Sequence, residues 1–392
     1  MTLEDELRSA LGHAAERAPH APQGLPAHIA NRSRRRRIRA NALMAAVAVV
    51  VIAGGTAMAL RGEPPRQPIP AIRPTPTPTP ARITGAEPVE KVWPAAVMKI
   101  PGKLRGGAKI RPLKLIGDRS VLFETWESHE KANAIYAYDL EARTSRKITN
   151  IRTPKGVFAG NWTIGTDRVF WSTIEDGGTG LWSVPLEGGS TERLATVPGR
   201  VDAMAVAGDR LAFSVMDGGG VSTIPLGGGK VEAVRGAERH HILSWPWAGT
   251  PSDYTPNGET SYEEIVNAET GETNRAVVRA GETWVRCGVL TCVGARPDRT
   301  VFMRLRDGTQ ERDLPETPVL GIAADRFMTV RFDSAGRGQA LLDLATGRSG
   351  DLGIRPGGDG GMQVVHPGVG DGRLVHYPLK GENVIIDLSK IM

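Results

Sequence analysis

Cysteine is nearly absent: the 392 residues contain two, Cys287 and Cys292. Two cysteines without a nearby histidine do not make a zinc set. Each follows a strand-like run, Trp284-Val285-Arg286 and Val289-Leu290-Thr291. In an exported domain the expectation is a disulfide across a tight hairpin. A surplus of charge is missing from most of the chain as well. Eight Arg and four acidic residues fall in the first 41 positions, leaving 41 of the 49 basic and 39 of the 43 acidic residues for the remainder. A near-neutral surface of mixed sign argues against a nucleic-acid partner.

Catalytic motifs are missing too. Gly227-Gly228-Gly229-Lys230 imitates a phosphate loop, but Ile224 and Val231 stand where the first Gly and the Ser/Thr belong. Phe332-Asp333-Ser334-Ala335-Gly336 lacks the first Gly of a nucleophile elbow. His240 and His241 are adjacent, and neighbours on a strand face opposite sides. No catalytic, cofactor-binding or metal-binding residue is expected.

One long apolar run stands out. Ala42 to Leu60 spans 19 residues without a charge, which matches the hydrocarbon core as a helix. Arg32, Arg34, Arg35, Arg36, Arg37 and Arg39 precede it. Positive charge stays inside, so residues 1–41 are expected in the cytoplasm and the C-terminus outside. The competing reading is a cleaved signal peptide, for which Ala57-Met58-Ala59 has the small-x-small form. The 41-residue leader favours the anchor.

Within the tail, Leu3, Leu7, Ala10, Leu11 and Ala14 share one face of a helix over Thr2–Arg17. That face suits a cytosolic regulator, with a marginal helix lying on the membrane as the alternative. Residues 61–88 form a linker. Its prolines, alternating with Thr from Pro74 to Pro80, favour extended polyproline II.

From residue 110 onward a unit repeats. An apolar strand meets a Gly/Ala-x-Asp-Arg type turn, and a second apolar strand follows. The turn aspartates, or their equivalents, are Asp118, Asp167, Asp209, Asp325 and Asp371. Asp and Gly tolerate the conformations of a tight hairpin. Successive marks lie 49, 42, 116 and 46 residues apart. Four strands per unit at about 40–50 residues is the pattern of propeller blades. The long gap predicts two further, degenerate blades near Trp245–Val277 and Trp284–Leu314. Residues 89–392 are therefore expected to be an all-β domain, a β-propeller of seven blades, with six or eight as neighbours. Gln363–Leu388 offers three strands where four are needed, and Val89–Pro101 is the expected closing strand.

The Leu181-Trp182-Ser183-Val184-Pro185-Leu186-Glu187-Gly188-Gly189 segment, the Asp-Arg hairpins and the stalked export signal resemble the membrane-anchored TolB-like and WD40-like propellers of actinobacteria. The Trp-Asp dipeptide of WD40 blades is absent. The resemblance implies a fold and no particular partner.

Trp245, Trp247, Tyr254 and Tyr262 are the richest aromatic stretch and the expected ligand-binding residues. The leading expectation is a non-enzymatic binding or signalling module for an envelope protein, peptide or glycan. The alternative is a propeller-type hydrolase or lyase acting on cell-wall material.

Overall fold

The Asp-Arg turns at Asp118, Asp167, Asp209 and Asp325 each join the first and second strands of one antiparallel sheet. The computed structural model describes residues 86–392, apart from 129–130, 152, 154–156, 251–259, 315–316, 319–321, 333–336, 358–361 and 366–371. The expected tail helix, apolar span 42–60 and most of the linker lie outside the described residues. Among those described, no helix is long and apolar enough to cross a membrane.

The chain enters through a one-turn helix, α1 (Val89–Val92), and strand β1 (Val97–Pro101). Blade 1 is β2 (Lys109–Ile116), β3 (Ser120–Ser128), β4 (Lys131–Asp139) and β5 (Thr144–Asn150). Blade 2 is β6 (Ala159–Ile164), β7 (Arg168–Glu175), β8 (Gly178–Pro185) and β9 (Glu192–Val197). Blade 3 is β10 (Val201–Ala207), β11 (Arg210–Val215), β12 (Val221–Pro225) and β13 (Glu232–Ala233). Blade 4 is β14 (His241–Ser244), β15 (Trp247–Thr250), β16 (Glu264–Asn267) and β17 (Thr273–Arg275). Blade 5 is β18 (Thr283–Cys287), β19 (Thr291–Ala295), β20 (Val301–Leu305) and β21 (Arg312–Asp313). Blade 6 is β22 (Thr317–Pro318), β23 (Phe327–Phe332), β24 (Gly338–Asp343) and β25 (Ser349–Asp351). Blade 7 is β26 (Leu374–Leu379), β27 (Glu382–Asp387) and the returning β1, paired in the order β1-β27-β26. The domain is a seven-blade β-propeller, and the two degenerate blades fall where the gap in the repeat placed them.

The ring closes through β1. Val97 pairs with Ile386 and Pro101 with Glu382, and Ile100 is fully buried. Burying such a side chain contributes roughly 1.5–3 kcal/mol. Closure differs from expectation in two respects. Val89–Val92 is helical rather than part of the strand, and packs with Trp93 into the apolar cluster of the last two blades. Blade 7 also shows three strands among the described residues, not four. Where a fourth would lie, the Gln339 side chain stands in for a ladder. Its amide donates to the Gln363 carbonyl and accepts from Val365 N–H at 3.0 Å.

The Asp-Arg turns carry a second function that their Asp and Gly do not reveal. The Arg reaches across its own blade to the third strand or beyond. Arg168 donates to Ser183 at 2.8 Å and pairs with Glu192. Arg210 donates to Thr223 at 2.9 Å and to Glu232 at 2.9 Å. Arg326 makes two bonds of 2.7 Å to Asp343, and Arg373 bonds of 2.9 and 2.7 Å to Asp387. Asp343 and Asp387 are fully buried. Burial opposes their ionisation, but the bonds from Arg and neighbouring hydroxyls outweigh it and hold both carboxyls below the usual range.

Cys287 and Cys292 face each other in the β18–β19 register and are joined by a disulfide, as expected.

Candidate functional site

Blade 2 carries a ladder of indoles. Side chains directly opposite on adjacent strands stand side by side on one sheet face. Trp171 on β7 pairs with Trp182 on β8, and Trp182 with Arg193 on β9. Trp162 on β6 extends the row inward. Ring centroids lie 5.6 Å apart for Trp162–Trp171 and 6.4 Å for Trp171–Trp182. The Arg193 guanidinium caps the row 4.6 Å from the Trp182 centroid. The ladder faces blade 1, where Leu122, Ile135 and Ile148 pack against it.

At its outer end the ladder meets a polar chain. Trp182 Nε1 donates to Thr173 Oγ1 at 2.8 Å, and Thr173 Oγ1 donates to Glu175 Oε1 at 2.7 Å. Arg193 Nη2 donates to the same carboxylate at 2.5 Å. Burial opposes the ionisation of Glu175. The bonds from Thr173 and Arg193 more than offset it, so the carboxyl stays ionised below its usual range. Gly180 is the only residue type that fits beside this group. A Cβ there would lie 2.5 Å from Glu175 Oε1 and 2.9 Å from both Thr173 Oγ1 and Trp182 Nε1.

Beside this chain a cleft of about 890 Å³ opens between blades 1 and 2. The blade 1 wall is the end of β5, with Thr149 and Asn150, followed by Ile151 and Thr153. The blade 2 wall is Trp171, Trp182 and the Glu175–Asp176 turn, with Thr191 and Arg193 at the outer lip. The volume falls within the roughly 300–1,000 Å³ of small-ligand sites. Among the described residues, the Thr153 hydroxyl is buried without a partner.

The expected aromatic site is not gathered in one place. Trp245 packs with the cluster shared by blades 3 and 4, and donates from Nε1 to Glu269 at 2.9 Å. Trp247 and Tyr262 pack with the cluster of blades 4 and 5, where Tyr262 is buried. Tyr254 lies outside the described residues. Trp245 lies in the turn between β14 and β15 whereas Trp247 begins β15, and the two end against different neighbouring sheets.

Two other polar groups carry residue types that could do chemistry. His241 Nδ1 lies 2.5 Å from Asp202 Oδ2, and Ser214 Oγ donates to Asp202 Oδ1 at 2.5 Å. The residue types are those of a hydrolytic triad, but the order is wrong. Asp202 sits between Ser214 and His241, so no base takes the serine proton. The Ser214 hydroxyl also accepts from Ile242 N–H at 3.0 Å. The group fastens blade 3 to blade 4. On blade 1, buried Glu124 pairs with Arg111 across β2 and β3. Burial raises its carboxyl pKa despite the Arg. No cluster of three or more candidate metal ligands occurs among the described residues.

No protein-family model and no curated protein matches the chain. Solved structures do. The oligogalacturonate lyase of Vibrio parahaemolyticus is similar at 13% identity, covering 74% of this chain and 96% of that one, with a TM-score of 0.46. The acylaminoacyl peptidase of Pyrococcus horikoshii is similar at 14% identity over 62% of this chain and 44% of its own, with a TM-score of 0.43. A prolyl endopeptidase is similar at 10% identity over 72% of this chain and 46% of its own, with a TM-score of 0.44. At these identities the likeness is one of fold. The expectation that the chain is no enzyme does not stand, because propellers similar to it belong to a lyase and to peptidases. Absence of a linear motif excludes no chemistry on a fold whose side chains converge from separate blades. No reaction passes from those proteins to this chain.

The ladder escaped the reading of the sequence. Its signal was the recurrence of Trp at matching places in the first three strands of one unit, Trp162, Trp171 and Trp182.

Proposed function

We propose that the chain is a membrane-tethered extracytoplasmic propeller that recognises an envelope ligand in the cleft between blades 1 and 2. One observation carries the reading: an open cleft with an apolar indole floor, lined by convergent polar groups that the fold holds in place. Such a combination is the usual mark of a ligand site. The tether rests on the charge-free run 42–60 behind its Arg cluster. Export is supported by the disulfide, which belongs to oxidising compartments. In the signalling form of this reading, residues 2–17 report occupancy to a cytosolic regulator.

The test uses the full chain, solubilised in detergent and sedimented with delipidated envelope from the cell that makes it. Retention is expected, and it should fall at least tenfold in both Asn150→Ala and Glu175→Gln. Retention unaffected by either change overturns the reading. A reporter fused after Met392 checks orientation and should be active only outside the membrane.

A further inference from the structure

The near-neutral average of the chain beyond residue 41 hides one stretch of a single sign. From Lys91 to Gly117 it carries seven basic residues and no acidic one. The acids that bracket the stretch are engaged, Glu90 with Lys99 and Asp118 with Arg373. We infer that the basic hairpin inside it, residues 102–111, is a docking surface for a linear phosphodiester polymer of the cell envelope. The inference does not depend on the cleft between blades 1 and 2.

Two lysines of the hairpin are forced together. The chain leaves β1 at Pro101, turns, and returns as β2, which begins at Lys109. Lys103 and Lys109 face each other in an antiparallel bridge. Ile110 N–H donates to the Gly102 carbonyl at 3.0 Å, and Leu104 N–H to the Ala108 carbonyl at 2.9 Å. These bonds flank the lysines on both sides. The two therefore form a non-hydrogen-bonded pair, the position where facing side chains stand closest. Like charges directly opposite on one sheet face are destabilising. An anion seated between the ammoniums turns that repulsion into attraction.

The row of charge continues across β2. Lys109 also pairs with Trp126 on β3, and Arg111 with Glu124. Residues two apart on a strand share a face, so Lys109 and Arg111 stand on one side. Lys109 Nζ and the Arg111 guanidinium each lie 5.9 Å from the Trp126 ring centroid. Both are cation–π contacts, and they hold two long side chains in place before a partner arrives. Arg105 adds an exposed charge in the turn.

Shape and chemistry select the partner. Lys103, Arg105, Lys109 and Arg111 are all exposed, on a hairpin rather than in a cavity. A compact anion gains little there, because single exposed contacts are screened. A chain of regularly spaced charges touches several cations at once, and its contacts reinforce one another. Carboxylates suit the planar fork of arginine, and the fork of Arg111 is already bonded to buried Glu124. Lysine is a compact point charge that binds phosphate without such a demand on plane. A phosphodiester spreads its charge over two oxygens, one for each ammonium of the Lys103–Lys109 pair. Docking on lipid phosphate asks in addition for apolar side chains that enter the bilayer. Among the described residues, none of the exposed large hydrophobics lies in the hairpin.

The test is a melting series on the full chain in phosphatidylcholine nanodiscs, read by tryptophan fluorescence. All eight Trp fall between residues 93 and 284, so the signal ignores anything bound at the Arg-rich tail. A glycerol-phosphate oligomer is the probe. It should raise the melting temperature, as any partner of the folded state does. Its half-saturating concentration should rise about tenfold or more between about 50 and about 200 mM NaCl. Lys103→Glu should raise that concentration about tenfold or more, and should itself melt higher without oligomer, because a repelling pair becomes an ion pair. Lys103→Arg, Asn150→Ala and Glu175→Gln should each stay within about twofold, the last two separating the hairpin from the cleft. The inference is overturned if the oligomer has no effect, or acts equally on Lys103→Glu. It is also overturned if Lys103→Glu melts lower, for Lys103 would then already hold an acid of its own. An oligogalacturonate of equal charge that acts as strongly overturns the phosphodiester, and phosphatidylglycerol vesicles that do so overturn the polymer. Loss of the effect in the cleft variants alone would give the polymer to the cleft and leave the hairpin without it.

Discussion

Blades 2 and 5 turn the same face toward the preceding blade and fill it in opposite ways. In blade 2 the third strand, β8, presents Trp182 and Val184 to blade 1, within an apolar cluster that includes Trp162 and Trp171. In blade 5 the third strand, β20, presents Phe302 and then Arg304. Arg304 is 0% exposed and makes two bonds of 2.6 Å to Glu282, itself 3% exposed. Two residues on, Arg306 is buried among carbonyls, donating to Tyr262 at 2.8 Å, Gly288 at 3.0 Å and Glu263 at 2.8 Å. Burial pushes its guanidinium down to about 10. The disulfide lies in the same blade. A four-stranded frame thus accepts either filling. The difference lies in what remains available. In blade 5 the polar groups are spent on holding two blades together. In blade 2 the apolar row does that work, and the polar groups at its end border an open cleft.

The largest effect expected from this comparison is in blade 5. Arg304→Met keeps much of the volume but leaves Glu282 buried without its counter-charge. Breaking a buried pair from one side costs about 3–5 kcal/mol. Urea unfolding of the full chain should show that loss. The double change Arg304→Met with Glu282→Leu should recover most of it, since an apolar replacement of a whole buried pair is often near neutral. The same variant sharpens the acid response. Burial opposes ionisation of Glu282, yet bonds from Arg304 and Arg279 hold its carboxyl below the usual range. A depressed carboxyl stabilises the fold above its unfolded pKa, and that contribution is lost as pH falls through the folded value. Wild-type stability should therefore drop below about pH 4, more steeply than that of the double variant.

Blade 2 should respond differently. Trp171→Phe removes part of one indole from the row and leaves no charge stranded. The loss of apolar contact is worth about 1–2 kcal/mol. It should not vary with pH between 3 and 7 beyond the wild-type trend, as read by unfolding at each pH. A pH-dependent cost would mean that the row works through Glu175 rather than through packing.

How far these features could be read in advance follows from their range along the chain. The hairpin turns are local, so Asp118, Asp167, Asp209, Asp325 and Asp371 announced five blades, and arithmetic on the gap supplied two. The closing strand followed from counting strands. The buried arginines could not be read this way, because Arg304 and Arg306 look like ordinary surface charge until their partners arrive from blade 4 and the loops around Glu282 and Gly288. The Trp ladder depends on register between three strands, which residue types alone do not specify. The separation of Trp245 and Trp247 has the same origin: neighbours along the chain, they pack against different sheets. Helix α1 was missed because its four residues, Val89–Val92, carry an apolar pattern too short to separate one helical turn from a strand.

The smallest effect concerns the cap of the ladder. Arg193 is 42% exposed at its side chain and Glu175 24%. Half-exposed ion pairs contribute roughly 0–1 kcal/mol, and a cation over an exposed ring about 0.5–1 kcal/mol. Arg193→Gln should accordingly lower the melting temperature by no more than a few degrees, at about 2–4 °C per kcal/mol for a domain of this order. Its consequence for Glu175 should be larger than its consequence for stability. With the guanidinium gone, only the bonds from Thr173 and Trp182 oppose the burial of the carboxylate. The balance then tips toward desolvation, which favours the protonated acid. A carbon-13 titration of the side-chain carboxyl, assigned with Glu175→Gln, should give a midpoint below about 4.3 in the wild-type chain and above it in Arg193→Gln. If the midpoint does not move, Arg193 is an ornament on Trp182 and the cleft's fixed acceptor owes its charge to Thr173 and Trp182. If it moves as expected, binding at the cleft should weaken at a higher pH in the variant than in the wild type, while blade 5 keeps its acid response unchanged.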